Sequence, residues 1–193
     1  FEALGDPDAS GNDSWGWTDP LTLREYALMC LSTGTIFVDI TDGINSVVIG
    51  KLPTNTTNSI WRDVKTYGNY AFIVSEAVGH GMQVFDLTRL RSVDPSNGPI
   101  EFTADAVYEG FGNAHNIVIN ESNAYAYAVG TTTFSGGPHF IDISDPLNPT
   151  AAGGYSSEGY SHDGHVVTYT GPDTDYLDSE IYIGSNENEV VII

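Results

Sequence analysis

Three short polar pairs carry the groups in this chain that are best suited to binding a metal ion or a polar ligand. Each pair precedes an apolar, strand-like run, and the three pairs are Arg62–Asp63, His115–Asn116 and His162–Asp163. Neutral imidazole nitrogens and carboxylate oxygens are ligands for borderline and hard divalent cations respectively. A ring of these side chains would therefore form a metal or polar-ligand site. The candidate metal ligands in and beside the ring are His115, His162, Asp163 and His165.

Two features of the pairs argue against a metal. The fixed positive charge of Arg62 would oppose a cation unless Asp63 pairs with it. His162 and His165 are three residues apart, so on a strand their side chains would face opposite sides of the sheet. The alternative interpretation is that the paired groups hydrogen-bond to one another and join neighbouring repeats.

The first of two candidate calcium segments is residues 6–11. It places oxygen-bearing side chains at alternate positions before a glycine, as does the start of an EF-hand loop. The oxygen donors are Asp6, Asp8 and Ser10. Trp17 stands where that loop needs a bidentate glutamate, so the match covers only the opening of the motif.

The second candidate segment, residues 171–180, is a cluster of carboxylates. Asp173, Asp175 and Asp178 lie within it. Their mutual repulsion would be relieved either by a bound cation or by solvent and salt, so the alternative is an exposed hairpin loop. Calcium is the first metal expected of this chain and a transition metal is the second.

Signatures of catalysis are missing from the sequence. It contains no Gly-x-Ser-x-Gly elbow, no phosphate-binding glycine loop, no Cys–His nucleophile arrangement and no His-Glu-x-x-His helix. No organic cofactor is implied. The sequence therefore favours a non-enzymatic role, with a metal-dependent enzyme centred on the ring as the alternative.

The elements that must position these groups form a repeat. Apolar runs that end in an aspartate (Asp39, Asp86 and Asp142) recur about every 50 residues, and a fourth run occupies residues 190–193. A period of this length, built from short β-rich runs, is typical of propeller blades. Aspartates at strand ends usually accept hydrogen bonds from turns, and we expect that role here.

The repeat predicts an all-β fold, because helical periodicity is nearly absent and Gly and Pro punctuate the chain. We expect one β-propeller domain over residues 1–193, with about four blades and as part of a larger propeller. The approximate blades are 1–50, 51–105, 106–155 and 156–193. In a propeller the innermost strands converge on a central channel, which would bring the three polar pairs together at its mouth.

Two other histidines, His80 and His139, occupy glycine-rich loops shortly before aspartate-ending runs. We interpret them as equivalent positions in their repeats. A shared structural role, such as capping a loop, is the expectation for both, outside the ring of polar pairs.

The charge of the chain restricts its partners. With 26 acidic and 6 basic residues the formal net charge is −20, so nucleic acid and anionic membrane surfaces are excluded as natural partners. No apolar stretch approaches the roughly 20 residues that cross a bilayer, so membrane insertion is not expected. Cys30 is the single cysteine and lies in an apolar run, where we expect a buried strand and no disulfide within the chain.

Several segments resemble a known family. Residues 140–149, Phe-Ile-Asp-Ile-Ser-Asp-Pro-Leu-Asn-Pro, resemble the LVIVD repeat of bacterial surface and secreted β-propellers. Segments similar to the choice-of-anchor B family cover nearly the whole chain and are residues 12–17, 61–65, 80–87, 112–121 and 184–187. The resemblance implies an exported protein, with its signal and envelope anchor outside this sequence, and a family whose members carry further repeats.

These observations favour an extracellular or cell-surface module that binds a protein or a carbohydrate at the cell envelope and serves as a scaffold. A structural subunit of an extracellular assembly is a further alternative. In that case the run Val190–Ile193 would pair with another chain through its unpaired backbone groups.

Overall fold

The structure, a computed structural model, describes residues 7–193, so Asp6 of the first calcium segment lies outside the described residues. Sixteen strands in this range form four sheets, which confirms the all-β prediction. The first sheet contains β1 (Gly11–Thr18), β2 (Glu25–Leu31), β3 (Gly34–Asp39), β4 (Val47–Pro53) and β8 (Ile100–Glu101). The second contains β5 (Arg62–Tyr67), β6 (Tyr70–Ser75), β7 (Met82–Asp86) and β9 (Ala106–Tyr108).

The third sheet contains β10 (Asn116–Asn120), β11 (Tyr125–Val129), β12 (His139–Asp142) and β13 (Thr150–Gly154). The fourth contains β14 (Ser161–Thr168), β15 (Glu180–Asn186) and β16 (Val190–Ile192). Short 3-10 segments cover Leu87–Ser92, Pro95–Asn97 and Phe134–Gly136. No helix in the described part of the chain is both long and apolar enough to cross a membrane.

Each sheet is an antiparallel meander in which sequential strands pair with one another. One strand departs from this pattern, because β8 adds parallel to β4 and so returns to the first sheet from within the second repeat. The first strands of successive sheets lie side by side, β1 beside β5, β5 beside β10 and β10 beside β14. The sheets of the described residues do not close into a ring.

Stacking of the sheets explains the composition of their strands. Strand β6 is apolar and buried at nearly every position, because the first sheet covers one of its faces and the third sheet covers the other. Between the first two sheets Phe85 stacks on Phe37 at 4.6 Å and meets Phe102 at 4.9 Å. Cys30 is buried in the same layer, as the sequence predicts, and burial raises the pKa of its thiol to about 12.

The strand-end aspartates have the structural role that the sequence predicts. Asp39, Asp86 and Asp142 each accept a hydrogen bond, at 2.9 Å, from the backbone N–H two residues later. Each carboxylate thereby fixes the turn that leads the chain out of its strand.

Candidate ligand site between the first strands

The first strands carry equivalent polar residues near their beginnings. Asp63, Asn116 and Asp163 each accept a hydrogen bond, at 2.7–2.8 Å, from the backbone N–H of the next residue. Asp13 on β1 does the same at 2.6 Å. The structure thus supports the equivalence of the three predicted pairs and adds a fourth, Asn12–Asp13, which the sequence analysis missed.

A signal for this fourth pair is present in the sequence. Asn12–Asp13 is a polar pair that enters a run with tryptophans at alternate positions, Trp15 and Trp17, and such alternation is typical of a half-buried strand. The pair lacks histidine and arginine, so a search for metal ligands passes over it.

Asp63 joins three first strands. Its Oδ1 lies 2.6 Å from Lys65 Nζ, and its Oδ2 accepts the backbone N–H of Ile117 on β10 at 3.0 Å. Lys65 also lies 3.4 Å from Asp13 Oδ2 on β1 and sits over the Trp15 ring at 4.7 Å. Asp63 is therefore a buried link between the first, second and third sheets.

The two carboxyl groups of this network differ in pKa. Burial, and then the hydrogen bond with Asp13, raises the pKa of Asp63 to about 7. Burial also tends to raise the pKa of Asp13, but the hydrogen bond with Asp63 and the charge of Lys65 lower it below its ordinary value. Asp63 consequently holds a proton under conditions in which Asp13 is ionised.

Arg62 does not reach the ligand site, contrary to the sequence-based expectation. Its side chain is fully buried between the first two sheets, where Nε donates to the Leu31 carbonyl at 3.1 Å and Nη2 donates to Thr54 Oγ1 at 2.7 Å. Burial lowers its pKa to about 10. The physical reason is the strand geometry, since successive residues point to opposite faces and Asp63 takes the face toward the cleft.

His80 and His139 are buried and structural, as expected, but they are not equivalent to each other. The third hydrogen bond of Arg62 goes from Nη1 to His80 Nε2 at 2.8 Å, whereas His139 Nε2 bonds the Tyr108 hydroxyl at 2.8 Å. The strand register places Gln83, not His80, at the position of His139. Burial lowers the pKa of both imidazoles, that of His80 to about 4.

One cleft, which we call the mouth cleft, has a volume of about 260 Å³. The residues that line it are Asn12, Asp13, Trp61, Asp63, His115, Asn116 and His162. The His115 and His162 rings are 4.3 Å apart between centroids, and the Trp61 ring lies 5.8 Å from that of His115. This cleft therefore brings together four of the six side chains that the sequence predicts for the ring, whereas Arg62 is buried between sheets and Asp163 lines the adjoining cleft instead.

The backbone near the mouth cleft is shaped for close packing of these rings. Gly130 has a φ of +60°, and a Cβ placed there would lie 2.6 Å from the Cβ of His115 and 2.7 Å from the Tyr160 hydroxyl. Glycine is the residue that tolerates both the left-handed conformation and this proximity. His115 Nδ1 also bonds Glu76 Oε1 at 2.6 Å, a partner that sequence analysis missed because the two residues are far apart in the chain.

A second cleft of about 330 Å³ adjoins the first, since Asp13 and Asn116 line both. Asp163 and His165 line this second cleft together with Lys65. His162 belongs to the mouth cleft, so the structure does not bring the two histidines of β14 together. Their separation agrees with the expectation from strand geometry.

In the described residues, the candidate oxygen donors of both predicted calcium segments are exposed. Asp8 and Ser10 precede β1, and the glycine of the first segment, Gly11, is the first residue of that strand. The carboxylates of the second segment, Asp173, Asp175 and Asp178, lie in the loop between β14 and β15. Among residues 7–193 no group of three or more His, Cys, Asp or Glu side chains is arranged to hold a metal ion. Metal binding at the segments stays a prediction.

Chemically, the mouth cleft offers an exposed indole, two imidazoles, two amides and carboxylates, a set suited to a polar ligand with an apolar face. Comparison of the chain with protein-family models, with curated proteins and with solved structures gave no match. The chemistry of the two clefts therefore carries the functional argument.

Proposed function

We propose that this chain is part of a β-propeller of the LVIVD-repeat, choice-of-anchor B type. Four consecutive meander sheets and the side-by-side order of β1, β5, β10 and β14 support this proposal. A radial array of meanders with inner first strands is the arrangement of propeller blades. The equivalent polar residues at the start of each first strand are consistent with repetition about a common axis.

The proposed function is non-enzymatic binding of a carbohydrate at the mouth cleft, in an exported protein at the cell surface. The single observation that carries it is the position of Trp61, whose side chain is 45% exposed beside the His115 ring. Apolar faces of sugar rings pack on aromatic side chains, whereas their hydroxyls bond carboxylates, amides and imidazoles. The mouth cleft supplies all of these groups around one aromatic surface.

The charge of the site supports a neutral or cationic ligand over an anionic one. Asp13 and Asp63 line the cleft, and Lys65 is engaged by both carboxylates. The overall charge of −20 adds a field that repels anions. A rigid sheet framework around the cleft would let the ligand bind without a large ordering cost.

Titration of the chain with neutral cello-, chito-, xylo- and manno-oligosaccharides, followed by tryptophan fluorescence and calorimetry, tests this function. We expect saturable binding of one class, weakened at least tenfold by Trp61→Ala. Trp15→Ala is the matched control, because Trp15 is 41% exposed and lies at the second cleft. Absence of binding by every oligosaccharide, or equal loss in the two variants, would overturn the carbohydrate proposal and leave a protein ligand as the next candidate.

A further inference from the structure

We propose that His115 and His162 form a two-histidine site for a transition-metal ion of the zinc class, with Glu76 as its positioning residue. This site goes beyond carbohydrate binding and does not depend on it. The argument rests on the distance between the two rings, on the hydrogen bond that orients one of them and on the charges around them.

The distance between the rings suits a shared ion. Imidazole nitrogens bind zinc at about 2 Å, so two histidines that share an ion must lie within a few ångströms of each other. The His115 and His162 rings are 4.3 Å apart between centroids and tilted by 54°. The two rings are therefore close enough for one nitrogen of each to reach a shared ion.

The hydrogen bond to Glu76 orients His115 for metal binding. Glu76 is an acceptor when ionised, so the 2.6 Å contact with Nδ1 places the imidazole proton on that nitrogen. Nε2 then carries the free electron pair that a metal ion requires. A carboxylate behind a ligating histidine is a recurring outer-shell arrangement that fixes the tautomer and raises the basicity of the ligand. Glu76 is itself held in place, because its N–H donates to the Trp61 carbonyl at 3.2 Å.

The charges around the pair favour a cation. The guanidinium of Arg62, which the sequence places beside the site, is buried between the first two sheets and bonded there. Of the two carboxyl groups that line the same cleft, Asp63 holds a proton below about pH 7 and Asp13 is paired with Lys65. The burial of Arg62 away from the cleft, together with the Glu76 carboxylate bonded to His115, lowers the electrostatic cost of a divalent ion.

The structure also indicates what kind of site this is. His162 is exposed, so solvent reaches the pair. The proposed site gives the ion two imidazole nitrogens from the protein, and water would complete the coordination. Such a site leaves open positions, and we expect an ion that exchanges readily with solution.

The experiment is calorimetric titration of the chelator-treated chain with zinc chloride, repeated with His115→Ala, His162→Ala and His165→Ala. We expect one saturable site that either of the first two variants abolishes. His165→Ala is the matched control, since it removes an exposed histidine that lines the second cleft and should leave zinc affinity unchanged. Zinc binding that is absent in the unaltered chain, or unaffected by the first two substitutions, would overturn the proposal.

A second measurement keeps the test valid if a variant fails to fold. Cobalt(II) added to the unaltered chain should selectively broaden the ring resonances of His115 and His162 and spare those of His165. Glu76→Gln should weaken zinc binding about tenfold to a hundredfold and shift the nitrogen signals of His115 away from the Nδ1-protonated tautomer. Equal broadening of all three histidines, or an unchanged tautomer in the Glu76 variant, would contradict the assigned roles. Oligosaccharide titrations in the presence of chelator test carbohydrate binding without a metal ion. Failure of the zinc proposal can then be distinguished from failure of the carbohydrate proposal.

Discussion

The pairs Arg62–Asp63 and His162–Asp163 occupy equivalent positions in their sheets but have opposite environments. Both members of the first pair are at most 2% exposed, and together they contact residues of the first, second and third sheets. Both members of the second pair are exposed, and Asp163 bonds the N–H of its own neighbour. Equivalent positions in the repeat therefore place two residues at the same point of their strands. They do not determine whether the side chains are buried in the fold or exposed to a ligand.

The difference arises from what stands beside each first strand. Strand β5 lies between β1 and β10, so the Asp63 carboxylate meets Lys65, Asp13 and the Ile117 N–H at once. A buried polar group must find such partners, because leaving it without them costs free energy. Strand β14 is the last first strand of the described residues and packs beside β10, so the His162–Asp163 pair faces the two clefts, where solvent can satisfy it.

The largest expected effect comes from substituting Arg62 and His162, the first residues of the two pairs. Arg62→Met removes three hydrogen bonds and leaves the Leu31 carbonyl, Thr54 hydroxyl and His80 imidazole without their partner. We expect the free energy of unfolding to fall by about 3 kcal/mol. His162→Met, at the equivalent exposed position, should change it by less than about 0.5 kcal/mol. Urea denaturation of both variants measures the contrast, and equal losses would refute it.

A smaller effect is expected in the pH dependence of the free energy of unfolding, to which Asp63 contributes. The pKa of Asp63 is raised from 3.8 to about 7, so the folded chain binds this proton more tightly than the unfolded chain. The stabilisation is fully present below pH 3.8 and is lost as the pH rises through about 7. Between these two pH values the free energy of unfolding should decrease by up to about 1.4 kcal/mol per pH unit, the slope for one proton.

Denaturation across this pH range with two variants checks the assignment. Asp63→Asn should remove the decrease, whereas Asp163→Asn at the exposed equivalent position should retain it. Asp13, whose pKa is lowered, contributes a slope of the opposite sign at more acidic pH. A decrease that persists in Asp63→Asn would mean that another group binds the proton.

The smallest expected effect on stability concerns Glu76. Its bond to His115 joins a partly exposed carboxylate to an imidazole, and such pairs contribute little to folding. Glu76→Gln should therefore change the free energy of unfolding by less than about 1 kcal/mol, close to the change in the control Glu109→Gln at an exposed position. A loss of several kcal/mol would show that Glu76 serves the fold rather than the orientation of His115.

Much of the local structure could be predicted from the sequence. The strand-ending aspartates predicted the turns that follow them. The spacing of the repeat aligned Asp63, Asn116 and Asp163 correctly. The direction of Arg62 follows from strand alternation once Asp63 is assigned to the cleft. What sequence could not predict were contacts between distant residues, such as His115 with Glu76 and Asp13 with Asp63, because nothing local signals which side chains the stacking of sheets brings together.

By itself the sequence determined an all-β chain of repeated meanders, since alternating apolar residues and turn-forming residues act over a few positions. Only the tertiary structure determined whether each polar pair is buried or exposed. Stacking between neighbouring sheets removed Arg62 and Asp63 from solvent and left His162 and Asp163 at open clefts. The physical reason is that a polar side chain is committed to the fold by the partners that surround it, and those partners come from other sheets.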